Sequence, residues 1–231
     1  MTALWSNDDE LFKLARQELF VAVVGDIMDK LGLYHQFLPP QIRPLAPDMV
    51  VIGRAMTVLS ADYNNSESFP SSNPTLSGSF GLMLDALDNL RPNEVYLCSG
   101  ASPQYALWGE LMSTRALHLH AAGAVMNGYS RDTLGILDLG FPTFSYGSYA
   151  QDQAPRGKVI DYRIAVEIEG TRVNPGDIVF GDIDGVCVVP RSAEVDVFNG
   201  AIEKARGEKT VRKAIEAGMS AKEAFEKYGI L

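Results

Sequence analysis

The segment around residue 109 carries the first of two groupings of residues that could do chemistry. Gly109 allows a tight turn from a strand into a helix. The backbone amides of Glu110, Leu111 and Met112 would then lie free at the helix N-terminus. Free amides at the start of a helix attract an anion such as a carboxylate. The segment is therefore a candidate anion-binding site. For Glu110 the alternative is structural, because the helix dipole stabilises a negative side chain at the helix N-terminus.

Arg131 and Asp132 form the second grouping, directly after a short apolar run. An Arg can hold a carboxylate through two parallel hydrogen bonds, and an adjacent Asp can bind a hard cation such as Mg²⁺. The same pair at the start of a helix is more often a cap and a surface ion pair. On spacing alone both interpretations stay open, so the chemistry depends on the elements that position the two side chains.

Alternating helices and strands are predicted to position these groupings. Periodic apolar residues predict helices over 8–31, 82–90, 109–121, 131–139 and 192–231. The first range holds two consecutive helices, with Asp8 or Asp9 as the first cap. The last is broken at Gly218, and Ser220 is the next cap. Apolar and β-branched runs predict strands over 50–59, 94–98, 124–126, 141–144, 164–168, 178–180 and 186–189. This layout is typical of an α/β protein with a mixed sheet flanked by helices and a helical tail.

The composition is that of an acidic globular protein. Its 231 residues include 20 Lys and Arg against 29 Asp and Glu, and the net charge of −9 repels phosphate backbones, so we expect no nucleic-acid partner. No apolar stretch reaches the roughly 20 residues that span a bilayer, and the acidic first residues lack a secretion signal. Cys98 and Cys187 lie inside apolar runs as small hydrophobes rather than a disulfide. We therefore expect a cytoplasmic protein with no membrane partner.

Several segments, in chain order, resemble a known family. They are GDIMDKLG at 25–32, IGRAMTV at 52–58, WGEL at 108–111, HAAGAVMNGYSRD at 120–132, LGFPTF at 139–144 and NPGDIVFGDIDGVCVVP at 174–190. Together they resemble the RraA-like family, which contains class II 4-hydroxy-4-methyl-2-oxoglutarate/4-carboxy-4-hydroxy-2-oxoadipate aldolases and regulators of ribonuclease E activity. The resemblance implies one swivelling β/β/α domain over residues 1–231, with an N-terminal helical segment (1–48), an α/β core (49–190) and a C-terminal helical tail (191–231).

The resemblance also implies roles for the two groupings. Asp132 matches the direct metal ligand, and Arg131 matches the residue that binds the carboxylate and keto oxygen of the substrate. Glu110 stands where the aldolases carry an acidic residue, usually Asp, that contacts metal-bound water. Its longer side chain can change the position of that water. The amides of residues 109–112 match the loop that receives the pyruvate carboxylate.

A further acidic residue is implied in the C-terminal helix, where it reaches into the site of a neighbouring subunit. Glu208 is the better match for it and Glu203 the alternative. The resemblance therefore implies a homo-oligomer, a trimer or a hexamer, with shared active sites.

The implied activity is that of a metal-dependent carbon–carbon lyase. Oxygen ligands favour Mg²⁺ or Mn²⁺ as the cofactor. The expected reaction cleaves a 4-hydroxy-2-oxo acid to release pyruvate, with oxaloacetate decarboxylation as a side activity. Two alternatives stay open: a dedicated 2-oxo acid decarboxylase, and a non-catalytic regulator that binds a protein such as a ribonuclease. The polar segment 64–79 departs from the compact family pattern.

The other polar residues have structural explanations. His118 and His120 lie two positions apart on a predicted helix and point to different faces, so a metal pair is not expected. Trp108 is expected to pack beside the loop rather than to bind substrate. Structural roles in loops and turns are also expected for His35, Asp177, Asp182 and Asp184.

Overall fold

The computed structural model describes residues 2–63 and 72–230. Its helices are α1 (Asp8–Glu18), α2 (Val21–Lys30), α3 (Met83–Asp88), α4 (Glu110–His118), α5 (Thr133–Leu139), α6 (Glu194–Glu216) and α7 (Ala221–Tyr228). Its strands are β1 (Arg43–Pro44), β2 (Val51–Asp62), β3 (Glu94–Ser99), β4 (Ala106–Trp108), β5 (Gly123–Met126), β6 (Tyr129–Ser130), β7 (Thr143–Ser145), β8 (Gly157–Tyr162), β9 (Val166–Ile168), β10 (Thr171–Val173), β11 (Ile178–Asp182) and β12 (Gly185–Val189).

A mixed sheet of eight strands forms the centre of the fold. Its order is β1-β7-β5-β3-β2-β11-β12, and β8 pairs with the second half of β2. The pairs β2/β3, β3/β5 and β5/β7 are parallel, and the remaining pairs are antiparallel. Arg43 Nη1 donates to the carbonyl oxygen of Ile183 at 3.1 Å. Because this bond joins β1 to the β11–β12 turn, the sheet is nearly closed.

Alternation along the central strands sorts their side chains onto two faces. In β3, Val95 and Leu97 pack against β9–β12, whereas Tyr96 and Cys98 pack beneath α3, α4 and α5. Helices α1, α2 and α6 cover the β11–β12 end of the sheet. Both cysteines are free and buried, as predicted. The structure confirms a mixed α/β fold flanked by helices.

Two helix ends differ from the prediction, and in each a single residue gives the reason. The predicted cap at Asp8 or Asp9 is wrong: the side chain of Asn7 accepts the hydrogen bond from the amide of Glu10 at 3.0 Å. Helix α4 ends at His118 rather than at residue 121, and His120 then adopts a left-handed φ of 59°. Of the polar segment 64–79, residues 64–71 lie outside the described part of the chain.

An ion-pair cluster ties α1 and the start of α6 to the sheet. Arg54, on β2, contacts Asp8 of α1 and Glu194 of α6, each at 2.5 Å. Hydrogen bonding from Arg54 lowers the pKa of Asp8. The predicted helical tail is confirmed, with Gly218 at a φ of 100° and a capping box between Ser220 and Glu223. Within residues 2–63 and 72–230, no helix has the length and apolar character that crossing a bilayer requires.

Candidate active site

The structure brings the two predicted groupings side by side. Strand β4 pairs in parallel with β6, so the segments that follow them, starting at Gly109 and Arg131, leave the same edge. The amide of Arg131 donates to the carbonyl oxygen of Trp108 at 2.9 Å, which fixes the register between them. The parallel strands β3 and β5 end at this side of the sheet, where α/β proteins place their ligands.

Gly109 leaves the space that Asp132 occupies. A Cβ at position 109 would lie 2.8 Å from Oδ2 of Asp132 and 3.5 Å from Cγ of Arg131. The backbone of Gly109 is extended, with φ −156°, so any residue could adopt it. The requirement for glycine is therefore one of space, set by the carboxylate of Asp132.

Asp132 does not use its carboxylate as a helix cap. It precedes α5 with φ 56° and ψ 37°, in the left-handed region, and its side chain makes no capping hydrogen bond. Asp is one of the few residues that adopts this conformation locally, at a cost of about 1 kcal/mol. The side chain is 48% exposed and faces Gly109. The left-handed turn thus leaves the carboxylate without a capping bond to its own helix.

Arg131 lies between two carboxylates. Its Nη1 is 3.0 Å from Oδ1 of Asp152, and its Nε is 3.7 Å from Oδ2 of Asp132. The two carboxylates therefore share one guanidinium, and Asp152 is the nearer of them. Asp152 was not predicted from the sequence. The one signal for it was its place in the polar stretch that follows β7, at the same edge of the sheet.

Backbone hydrogen bonds fix the segment that carries Asp152. The amide of Tyr149 donates to the carbonyl of Ser130, and the amide of Ala106 donates to the carbonyl of Gln151, both at 2.8 Å. Arg156 Nη1 donates to the carbonyl oxygen of Asp152 at 3.0 Å. The segment is therefore attached to β4 and β6, the two strands that lead into the site.

Glu110 and Glu208 lie outside the cavity that Arg131 and Asp132 line. The side chain of Glu110 covers Gly135 on α5, where a Cβ would lie 2.4 Å from its carboxylate carbon. Gly135 follows Asp132 by three residues, so the carboxylate of Glu110 lies nearly one helical turn along α5 from the backbone of Asp132. Glu208 projects from α6 and lies 3.5 Å from Lys204 Nζ. The described chain thus places Glu110 beside the site and Glu208 away from it; Glu203, also on α6, is exposed.

A cavity of about 410 Å³ opens beside these residues. One end is polar, with Arg131, Asp132 and Asp152. The start of α4 borders it through Gly109, Leu111 and Met112, and no side chain caps this helix. The remaining lining residues are Phe80, Met83, Leu84, Leu87, Asp88, Ala106, Leu107, Trp108, Arg115 and Gln153. An anion bound here meets a guanidinium and a helix N-terminus together.

The RraA-like family model, described as Aldolase/RraA, matches residues 21–188. The chain belongs to the RraA-like family. It is 27% identical over 203 residues to a protein of Halalkalibacterium halodurans named "Putative 4-hydroxy-4-methyl-2-oxoglutarate aldolase", covering 87% of both chains. It is also 27% identical over 208 residues to Protein DlpA of Legionella pneumophila, covering 90% of this chain and 32% of that protein. The chain thus spans about a third of the DlpA length.

Solved structures of relatives show the same fold. An uncharacterized protein from Pseudomonas syringae superposes with a TM-score of 0.83 at 22% identity, covering 99% of this chain and 98% of that one. Streptomyces coelicolor RraAS2, described as an unusual member of the RNase ES inhibitor RraA protein family, gives a TM-score of 0.75 at 22% identity, with coverage of 90% and 98%. These likenesses establish the RraA-like fold.

The residues at the polar end of the RraA-like cavity fit a hard divalent cation. The carboxylate of Asp132 is an oxygen donor that its own helix does not use. Among the described residues, no group of three or more His, Cys, Asp or Glu side chains is gathered to hold a metal. A cation at Asp132 would therefore take most of its ligands from water and substrate oxygens. This donor set suits Mg²⁺ or Mn²⁺, which commonly keep several waters.

Trp108 and Asp182 have the packing and turn roles expected of them. Trp108 is 1% exposed, and its Nε1 donates to Ser113 Oγ at 2.7 Å. Asp182 accepts hydrogen bonds from the amides of Val21 at 2.7 Å and Asp184 at 2.8 Å, and so satisfies the first turn of α2. His118, His120 and His35 are exposed.

Proposed function

We propose that this RraA-like protein is a Mg²⁺- or Mn²⁺-dependent carbon–carbon lyase that cleaves a 4-hydroxy-2-oxo acid and releases pyruvate. The observation that carries the proposal is the convergence of Arg131, the free carboxylate of Asp132 and the uncapped start of α4 on one cavity. A 2-oxo acid needs such a set: donors for its carboxylate and a cation for its keto oxygen. The names of relatives in Halalkalibacterium halodurans and Bacillus cereus support the assignment.

The residues of this chain would bind and orient the 2-oxo acid. Arg131 and the first amides of α4 hold its carboxylate. Asp132 holds the divalent cation, which when bound supplies Lewis-acid stabilisation of negative charge on the keto oxygen. The bond between the third and fourth carbons then breaks, and its electron pair stays with the three-carbon fragment as the enolate of pyruvate.

Two proton transfers complete the reaction. The hydroxyl on the fourth carbon loses its proton as that carbon becomes a carbonyl, and the third carbon gains one to give pyruvate. Glu110, beside Asp132, and Glu208 of a neighbouring copy are the carboxylates that we assign to these transfers, acting through water. Decarboxylation of oxaloacetate passes through the same enolate, so we propose it as a side activity.

Exchange of the methyl protons of pyruvate in D₂O is the direct test, because it needs only the enolate step. We expect exchange with Mg²⁺ or Mn²⁺, its loss on EDTA treatment and its return when the cation is restored. Proton NMR of the methyl signal measures it without any assumption about the full substrate. Exchange that survives exhaustive chelation would count against the metal. No exchange under any condition would favour the non-catalytic regulator, and decarboxylation without aldol cleavage would favour a dedicated decarboxylase.

We also propose that the active sites are shared within a trimer or hexamer. Glu208 lies away from the cavity of its own chain and is paired with Lys204, so a role in catalysis requires a second copy. Head-to-tail contacts that close into a ring supply such a geometry. A cytoplasmic location, consistent with the two free buried cysteines, stays a prediction.

Mixing two inactive variants tests the shared site. Glu208→Gln and Asp132→Asn should each assemble and each be inactive. Subunits mixed in equal amounts and allowed to exchange should recover about a quarter of the wild-type activity, because each site draws its two residues from different subunits. Light scattering should show the oligomer throughout. An active monomer, or no recovery between subunits shown to exchange, would contradict the shared site.

A further inference from the structure

Two glycines accommodate carboxylates where α4 packs beside α5. The first is Gly109, directly before α4, which lies against the carboxylate of Asp132. The second is Gly135, inside α5, and the side chain that lies over it is that of Glu110, from the first turn of α4. A Cβ at position 135 would lie 2.6 Å from Cγ of Glu110 and closer still to its carboxylate. Each acidic residue at the start of one helix is thus placed against a glycine of the other segment.

The backbone of Gly135 does not itself require glycine. The residue lies inside α5 and its φ is not positive, so alanine could adopt the same conformation. A glycine within a helix also makes that helix less stable than an alanine would. The requirement for glycine here is therefore one of space, and the group that fills the space is the side chain of Glu110.

Both helices are fixed around this contact. Ile136, the next residue along α5, is fully buried. On α4, the amide of Ser113 donates to the carbonyl oxygen of Gly109 at 3.0 Å. The carboxylate of Glu110, in contrast, has no hydrogen-bond or ion-pair partner in the described part of the chain. A methyl group at position 135 would therefore displace this carboxylate rather than move either helix.

Such a displacement is large on the scale of proton transfer. To restore an ordinary contact of roughly 3.5 Å between carbon atoms, the side chain of Glu110 must move by about 1 Å. A misplacement of about 1 Å can lower a rate by about 100-fold, and proton transfer by a positioned side chain contributes about 10²- to 10⁴-fold. The place of this carboxylate thus depends on the absence of a side chain at residue 135.

We propose that Gly135 is a positioning residue for the proton transfers of Glu110. The proposal rests on the proposed function, in which Glu110 moves a proton through water. It gives a part in that function to a residue that touches neither the substrate nor the metal. Glu110 and Gly135 act as a matched pair, because the length of one side chain requires the absence of the other.

Gly135→Ala tests the pair, since it adds only the methyl group that Glu110 excludes. We expect kcat for metal-dependent pyruvate exchange to fall at least about 10-fold. The KM for pyruvate and the affinity for Mn²⁺ should stay unchanged, because Arg131 and Asp132 keep their places. The midpoint of thermal unfolding should not fall, because alanine favours the helix. A lower midpoint together with weaker Mn²⁺ binding would show a structural role instead.

Glu110→Asp supplies the control background. Its side chain is one methylene shorter, so it should not extend over residue 135. It keeps a carboxylate that acts through water, so part of the exchange should remain. In this background Gly135→Ala should change kcat by less than about 2-fold, which makes the two substitutions non-additive. An equal loss in both backgrounds would mean that the methyl group acts on the helix rather than on Glu110, and would contradict the proposal.

A crystal structure of Gly135→Ala gives the same answer without turnover. The carboxylate of Glu110 should be displaced by at least about 1 Å, while Asp132 and the backbone of α5 stay in place. A structure in which Glu110 keeps its place and α5 moves would overturn the pairing.

The wild-type protein separates a failure of this proposal from a failure of the one on which it rests. If the wild-type protein exchanges pyruvate protons and Gly135→Ala does so at the same rate, Gly135 has no positioning role and the lyase assignment stands. If the wild-type protein shows no exchange under any condition, the lyase assignment fails and the role of Gly135 with it.

Discussion

Asp132→Asn is expected to lower metal-dependent pyruvate exchange by at least about 100-fold and to leave the fold intact. The neutral amide cannot replace a carboxylate as the single protein ligand, and losing the cation removes several kcal/mol of stabilisation from the enolate. Asparagine also tolerates the left-handed backbone of this position, whereas alanine would add strain. The NMR exchange rate and the midpoint of thermal unfolding measure the two effects.

Asp138→Asn is the matched control, because Asp138 is exposed on the same helix and does not line the cavity. It should leave both the exchange rate and the affinity for Mn²⁺ unchanged. Electron paramagnetic resonance of bound Mn²⁺ gives that affinity without turnover. If Asp132→Asn bound Mn²⁺ with the affinity of the wild-type protein, Asp132 would not be the metal ligand, even if the activity fell.

Arg131→Lys is expected to lower kcat/KM for pyruvate release by about 30- to 200-fold, or about 2–3 kcal/mol. The guanidinium presents fixed, parallel donors, and Nη1 is oriented by Asp152. A lysine ammonium at the same place can be held by Asp152 or bind the substrate carboxylate, but it cannot copy the two-pronged geometry. Steady-state kinetics should show a raised KM as well as a lowered kcat.

Arg172→Lys provides the comparison for this change. Arg172 is exposed on β10, outside the cavity, and donates to Asn174 at 3.2 Å. Its substitution should leave kcat and KM unaltered. If Arg131→Lys also kept both constants, the carboxylate-binding role of Arg131 would be wrong.

Local patterns were enough to predict most elements of the fold. The β-branched run at 51–59 and the apolar runs at 95–98 and 186–189 form buried strands, because continuous apolar sequence cannot remain exposed. The turn at Gly218 and the cap at Ser220 followed from backbone preference alone. The order of strands in the sheet depends on long-range packing, and only the resemblance to a family pointed to it.

The sequence predicted the main residues of the candidate site but not their arrangement in space. Arg131 and Asp132 stood out by residue type, but the left-handed turn that frees Asp132 leaves no local signal. Asp152 reaches Arg131 through hydrogen bonds between segments about 20 residues apart, which spacing cannot reveal. The position of Glu110 over Gly135 likewise depends on how α4 packs beside α5.

The C-terminal arm divides into two parts by how it is packed. The first half of α6 is fixed in the core as far as Ala205, whereas beyond it Val211 and Ala224 are the buried apolar residues among those described. A segment with so little buried surface opens locally without unfolding the domain, and its amides exchange with solvent long before those of the sheet. If a neighbouring copy covers the arm, diluting the protein would separate the copies and expose the arm before the domain unfolds. Catalytic competence would then depend on protein concentration, while the sheet kept its stability.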